Sequence, residues 1–235
     1  MDPDERRVLS ILVNTNKTLF DAQKSNRHRI DAMKNNVQDD RLKSLKEISI
    51  TSLDAPLSDL RNEIFTMLQF SREYLDILQK IDAINLYDAA EIIVEVDDIK
   101  RFKNVRHFIS YAGLSPVIRK GKYYSKMTKD SKGTIVANKK QDPIDYCENL
   151  KIVLTKCAKK LIYQSDKYKV YYHMMFKSLK EKNPSYPRKR IEFMALKKVT
   201  IKFATFIYTE FNKIAEFEEE ENNWGDKIWK VMHVM

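Results

Sequence analysis

Apolar residues recur near the start of the chain at alternating steps of four and three. Val8, Leu12, Leu19, Ala22, Ile30 and Met33 fall on one narrow stripe with polar residues between them. That spacing predicts a long helix from Asp4 to about Val37. After a polar stretch, Asp54 followed by Pro56 reads as an N-cap with proline in the first turn. Leu57, Leu60, Ile64, Met67, Leu68, Leu75 and Leu78 then repeat the stripe. Residues 1–80 are therefore expected to form a long antiparallel helical hairpin, coiled-coil-like. A seam this narrow buries little by itself, so the hairpin wants a partner surface, and a homo-oligomer is expected.

From residue 81 the periodic segments shorten. Tyr87 to Val96 and Asn104 to Tyr111 read as two short helices joined by Asp97 and Asp98, with Gly113 placed where a helix end wants a left-handed residue and Pro116 preventing continuation. Adjacent acidic residues between two helices more often cap the second than hold a metal. Three further helices are predicted at Asp145 to about Gln164, Tyr168 to Lys182 and Arg188 to about Phe217. Residues 81–217 thus read as a helical domain containing a helix-hairpin-helix and a basic loop at 117–143. An acidic and aromatic tail at 218–235 closes the chain, its run of four glutamates being the usual dress of a solvated helix end. With only 4 glycines and 6 prolines in 235 residues, tight turns are scarce and the fold class is all-α.

Charge changes the picture more than composition does. The formal net charge is +10, and it is concentrated. Residues 97–140 carry twelve Lys and Arg against three Asp, and residues 151–202 carry fifteen against three acidic residues. Such clustering points to phosphate-bearing partners, above all nucleic acid. In the basic loop Arg119, Lys120, Lys122 and Lys126 surround Tyr123 and Tyr124, which suits a backbone-contacting, base-stacking segment. Arg101, Lys103 and Arg106 extend the same charge into the short helical pair.

The remaining chemistry is sparse. Cys147 and Cys157 lie ten apart in a helical pattern with no neighbouring His, which fits reduced core residues better than a disulfide or a zinc site. There is no glycine-rich phosphate loop and no serine elbow. Tyr163, Tyr171 and Tyr172 fall among apolar helical positions and read as core, not as nucleophiles. No signal peptide and no apolar run of about 18 residues is seen, so neither export nor a membrane is expected and the location is cytoplasmic.

The stretch from Ala89 to Pro116, AAEIIVEVDDIKRFKNVRHFISYAGLSP, resembles the signature of the IS-one-ten insertion-sequence transposase family. Ala89, Glu95, Asp98, Phe102, Tyr111, Ala112, Gly113, Leu114 and Pro116 fall on matching positions. Lys24 to Arg27 on the first helix and Glu148 to Ala158, ENLKIVLTKCA, extend the likeness more weakly. In the first hairpin turn Ala83 and Asn85 stand where the family has glycines, and Asn85 is the residue there that tolerates a left-handed backbone.

The resemblance implies a DNA-handling helical domain acting with a resolvase-like nuclease domain, whose four acidic residues bind Mg, and with a structured guide RNA. It also implies a serine nucleophile a few residues beyond the Pro116 position. Arg119, Lys120 and Gly121 occupy that place here, leaving Ser125 and Ser131 as the nearest hydroxyls. Because Asp4 already lies on the long helix, the nuclease domain and its Mg are not expected in this chain, and cleavage would need that domain as a partner. The function expected is DNA binding within insertion-sequence transposition. The alternative is a non-enzymatic, architectural nucleic-acid-binding protein that keeps the signature as a relic.

Overall fold

A computed structural model describes residues 1–34, 44, 48, 51–115, 127–129, 135–137 and 146–233. Apart from one small strand pair, its regular structure is helical, in agreement with the all-α expectation. In chain order the elements are α1 (Pro3–Lys34), α2 (Asp54–Leu68), a π-helical turn (Glu73–Ile77) running into a 3-10 turn (Leu78–Lys80), α3 (Leu86–Val96), a second 3-10 turn (Ile99–Arg101), α4 (Val105–Tyr111), β1 (Met127–Lys129), β2 (Ile135–Ala137), α5 (Glu148–Gln164), α6 (Asp166–Lys182) and α7 (Arg188–His233). The chain divides into two compact units, Met1–Asp97 and Asp98–Met235.

In the first unit α1 packs on α2 and α3. The buried face of α1 is not the stripe expected from the sequence. Leu9, Val13 and Gln23 are buried, while Val8 is 48% exposed and Ala22 is exposed. Leu12 and Leu19 of the expected stripe are half-buried, so the face is shifted toward Leu9 and Val13 and not wholly replaced. The amide of Gln23 donates to Asp54 Oδ1 at 2.7 Å, so a glutamine that a hydropathy pattern places outside is drawn inside by a partner. The same bond gives Asp54 a role other than the expected one. Asp54 is the first residue of α2, whose N-cap position is taken by Leu53 without a side-chain cap. On α2, Ile64 and Leu68 are buried as the repeat predicts.

The segment after α2 is held by a polar knot. Ser71, fully buried, donates from Oγ to Glu73 Oε2 at 2.8 Å and accepts from the Tyr74 amide at 3.2 Å. Arg6 reaches Glu73 Oε1 at 3.1 Å and approaches Asp97 Oδ1 at 3.8 Å. This knot ties the start of α1 to the two ends of the segment that carries α3. Asn85 caps α3, its side chain accepting from the Asp88 amide at 2.8 Å. Its backbone is extended, with φ −86°, so the left-handed conformation expected there is absent. The positive φ falls instead on Asp97, at 56°, which closes α3.

In the second unit α7 is the spine, packing on α4, α5, α6 and the second 3-10 turn. Ile191, Ala195, Val199, Phe203, Ala204, Ile207 and Phe211 are buried along it, a repeat of three and four that marks one continuous apolar face. From α5, Leu150, Val153, Leu154, Cys157, Ala158 and Leu161 are buried. Cys157 is thus the core residue expected, while Cys147 is partly exposed and caps α5 by accepting from the Leu150 amide at 3.3 Å. Helix α7 continues past Phe217, the end expected for it, to His233. Tyr163 is not core. It is 86% exposed, and Tyr171 lies under Lys202 Nζ at 3.9 Å instead of in an apolar interior. The two strands, which the sequence did not predict, pair antiparallel in the register Met127 with Ala137 and Lys129 with Ile135.

The two candidate faces of α1 separate in a mutational test. Leu9→Ala should cost about 2–5 kcal/mol through the cavity it leaves, whereas Val8→Ala in dilute protein should stay within about 0.5 kcal/mol. Urea unfolding of both variants measures this, and equal losses would contradict the burial described.

Candidate nucleic-acid interface

The signature stretch enters the second unit at Asp98, whose side chain accepts from the Lys100 amide at 2.8 Å and so caps the 3-10 turn. The acidic pair was expected to cap the second helix; instead Asp97 ends α3, Asp98 caps the 3-10 turn, and the cap of the second helix falls to Asn104. Among the described residues no group of three or more His, Cys, Asp or Glu is placed to hold a metal, and the side chains present do not fit the acidic Mg centre that the family resemblance implies. Asn104 caps α4 in turn, accepting from the His107 amide at 3.0 Å.

Between these caps lies an aromatic knot. Phe102 is buried and its ring centroid stands 5.1 Å from those of both Phe108 and Tyr111. The Phe102 carbonyl accepts from the Tyr208 hydroxyl of α7 at 3.4 Å. The guanidinium of Arg101 lies 4.7 Å from the Phe102 ring centroid and 4.6 Å from that of Tyr111, an arrangement favoured by the negative faces of both rings. Burial pushes the Tyr111 hydroxyl above its ordinary pKa, and the neighbouring Arg101 opposes that shift.

Helix α4 ends in a Schellman turn. The Leu114 amide donates to the Ile109 carbonyl and the Gly113 amide to the Ser110 carbonyl, both at 3.0 Å, with Gly113 at φ +65° and Leu114 buried. The left-handed residue expected after α4 is therefore where the sequence put it. The glycine has a second reason to be there. A Cβ at 113 would come within 2.5 Å of Tyr146 Cδ2, so the Tyr146 ring lies directly on the turn. Next to it the Cys147 amide donates to the Tyr111 carbonyl at 2.8 Å. This pair of contacts fixes where α5 starts relative to the end of α4.

Of the cations singled out from the sequence, Arg101, Lys103 and Arg106 are exposed and come together on the 3-10 turn and the first turn of α4. Arg101 is committed to the rings, which leaves Lys103 and Arg106 as the outward pair. Lys100, from the same run, forms an ion pair with Glu219 of α7. Arg119, Lys120, Lys122, Tyr123, Tyr124, Lys126, Ser125 and Ser131 lie outside the described residues.

Sequence reasoning missed a second basic feature. Behind the Gly113–Tyr146 contact opens a cleft of about 850 Å³ between α5 and α7. Lysines 151, 156, 159, 160 and 197 line it together with Ile152, Leu196 and Phe193. The signal was present as the excess of lysine over 151–202, but a charge count carries no face. Spacing does, since Lys156, Lys159 and Lys160 lie four, seven and eight residues on from Ile152, the intervals that put residues on one side of a helix.

Residues 75–133 match the Transposase IS116/IS110/IS902 family, which covers the signature, the Schellman turn and the first part of the basic segment. That stretch is similar to the C-terminal region of insertion-sequence transposases. No curated protein is similar enough to the chain to stand as its relative. No helix among the described residues is long and apolar enough to cross a membrane.

The Gly113 turn supplies its own test. Gly113→Ala should lower stability by about 2 kcal/mol or more, combining the left-handed backbone penalty of about 1–2 kcal/mol with the displaced tyrosine ring. A denaturant midpoint unchanged from the parent protein would show that neither constraint operates.

Proposed function

We propose that this chain is the nucleic-acid-binding helical part of an insertion-sequence transposase, holding DNA through the basic stretch that runs from Arg101 into the 117–143 segment. The observation that carries the reading is the family match over residues 75–133, which falls on the stretch where exposed Lys103 and Arg106 stand together. Arg119, Lys120, Lys122 and Lys126 add phosphate contacts, and Tyr123 and Tyr124 stack on bases. A structured guide RNA is a second ligand for the same cations. Strand cleavage requires an acidic metal-binding domain, supplied from outside the residues described, with Ser125 or Ser131 as the hydroxyl this chain would contribute. A purely architectural protein would bind in the same way but would not restore transposition when that domain is provided.

Self-association is the second part of the proposal. Val8 and Ile11 of α1 are 48% and 65% exposed, an apolar surface that a second copy of the helix would cover. Sedimentation equilibrium should show an oligomer, and Val8→Glu with Ile11→Glu should shift it to monomer. A parent protein that sediments as a monomer at tens of micromolar would reject this assignment.

The binding reading is tested by fluorescence anisotropy with duplex DNA, junction DNA and structured RNA across a salt titration. Affinity should fall steeply with salt. Replacing Arg119, Lys120 and Lys122 together by Ala should weaken binding and flatten the log–log salt slope by about 2–3, since each phosphate contact contributes about 0.9. Unchanged affinity and slope would retire these residues as phosphate contacts.

A further inference from the structure

Helix α7 runs across the signature stretch and carries its acidic residues onto it. The Tyr208 hydroxyl donates to the Phe102 carbonyl, the Tyr208 ring centroid lies 5.7 Å from that of Phe108, and Phe211 is buried about one turn further on. Glu219 follows Tyr208 by eleven residues, about three turns of helix, which returns it to the same side. There its carboxylate pairs with the Lys100 ammonium of the second 3-10 turn. Residues 216–221 hold five glutamates in six positions, Glu216 and Glu218 to Glu221. The ion pair therefore joins a dense acidic run to the basic run of Lys100, Arg101, Lys103 and Arg106.

This pair is not what fastens the turn to α7. Ile99, Phe102 and Phe108 are buried there and the Tyr208 hydroxyl bonds the backbone. Glu219 is 64% exposed, and an ion pair so placed contributes little to folding. Its consequence is for binding. A lysine that holds a carboxylate cannot neutralise a phosphate until the carboxylate leaves, so a nucleic-acid backbone seated on exposed Lys103 and Arg106 gains Lys100 only by displacing Glu219. The neighbouring glutamates repel the same backbone over a Debye length of about 10 Å at 0.1 M salt. Because the acidic run is on the same chain, its competition does not weaken on dilution. Because the contact is a surface ion pair, it exchanges easily. A polyanion already held by other cations displaces it, and an anion that meets Lys100 alone does not.

We infer that the acidic end of α7 is an autoinhibitory element, which occupies Lys100 as a stand-in for phosphate and withholds it from nucleic acid until a ligand bound to the neighbouring cations displaces Glu219. This inference rests on the nucleic-acid reading above and adds a regulation to it. The four consecutive glutamates then do more than solvate a helix end. They raise the number of phosphate contacts a ligand must make before the whole basic run is open to it.

The test is a double-mutant cycle on the full chain, read by anisotropy of a fluorescein-labelled hairpin duplex across a salt titration. Glu219→Gln should tighten duplex binding about threefold at low salt, the scale of one surface ion pair. It should also steepen the log–log salt slope by about 0.9, one added phosphate contact. Lys100→Ala alone should change affinity less than about 1.5-fold, since that lysine is already occupied, and in its background Glu219→Gln should gain nothing. Glu181→Gln, which removes one exposed charge from α6, should leave binding as in the parent protein. An equal gain from Glu219→Gln with and without Lys100, or an equal gain from Glu181→Gln, would reduce the effect to net charge and overturn the inference. No gain from Glu219→Gln would overturn it too. If the parent protein binds duplex through Arg119, Lys120 and Lys122 while Glu219→Gln leaves affinity unchanged, the interface stands and the autoinhibition does not. If neither the parent protein nor Glu219→Gln binds duplex, junction DNA or structured RNA at low salt, the nucleic-acid reading itself fails.

Discussion

The contact between Gly113 and the ring of Tyr146 is the constraint on which the second unit turns. A helix that ends in a Schellman turn needs a left-handed residue, and that requirement alone favours glycine. Here the absent side chain also makes room for a tyrosine from some thirty residues along the chain. Because the Cys147 amide beside that tyrosine bonds to the Tyr111 carbonyl, the end of α4 and the start of α5 are fastened at two points. Helix α5 then meets α7, and α7 returns to the Phe102 carbonyl through Tyr208. The aromatic knot, the turn and the spine therefore close on one another, and a perturbation at the turn is felt in all three.

Seen from this constraint, the division between what the sequence shows and what it hides has a physical pattern. Local rules that act through backbone geometry were readable. Gly113 as a left-handed helix stop and Asn104 at the start of α4 follow from residue type and spacing alone, because their partners lie within a few positions, whereas the acidic pair was assigned to the wrong element, Asp98 capping the 3-10 turn and not α4. The seam of α1 was not readable in the same way. Hydropathy put Val8 and Ala22 inside, whereas Leu9 and Val13 are buried, and Gln23 is buried with them through its hydrogen bond to Asp54, thirty-one positions away. Asn85 shows the same thing on a smaller scale. An asparagine can serve a left-handed turn or a helix cap, and only the presence of the Asp88 amide decides for the cap.

The candidate site divides along the same line. A dense run such as Lys120 to Lys126 can be singled out from the sequence because its charge is contiguous. The lysines of α5 are spread among apolar residues at helical spacing, so they register only as an excess over fifty residues. Packing supplies the missing information. With Leu150, Val153, Leu154, Cys157, Ala158 and Leu161 committed to the core, the remaining positions of α5 must face outward, and Lys156 and Lys159 share that side with Ile152.

Two basic surfaces in one unit raise the question of why both would be kept. A contact made by lysine to phosphate is sequence-independent and is weakened by salt through counterion release. It concentrates a protein on nucleic acid without telling it where to stop. Discrimination needs a surface whose free energy changes with the state of the bases, one that gains only when a base has left its stack. The outward cations Lys103 and Arg106 stand beside the aromatic knot and the Asn104 cap. The match to a transposase family over residues 75–133 falls on the first of these surfaces and ends before α5 begins.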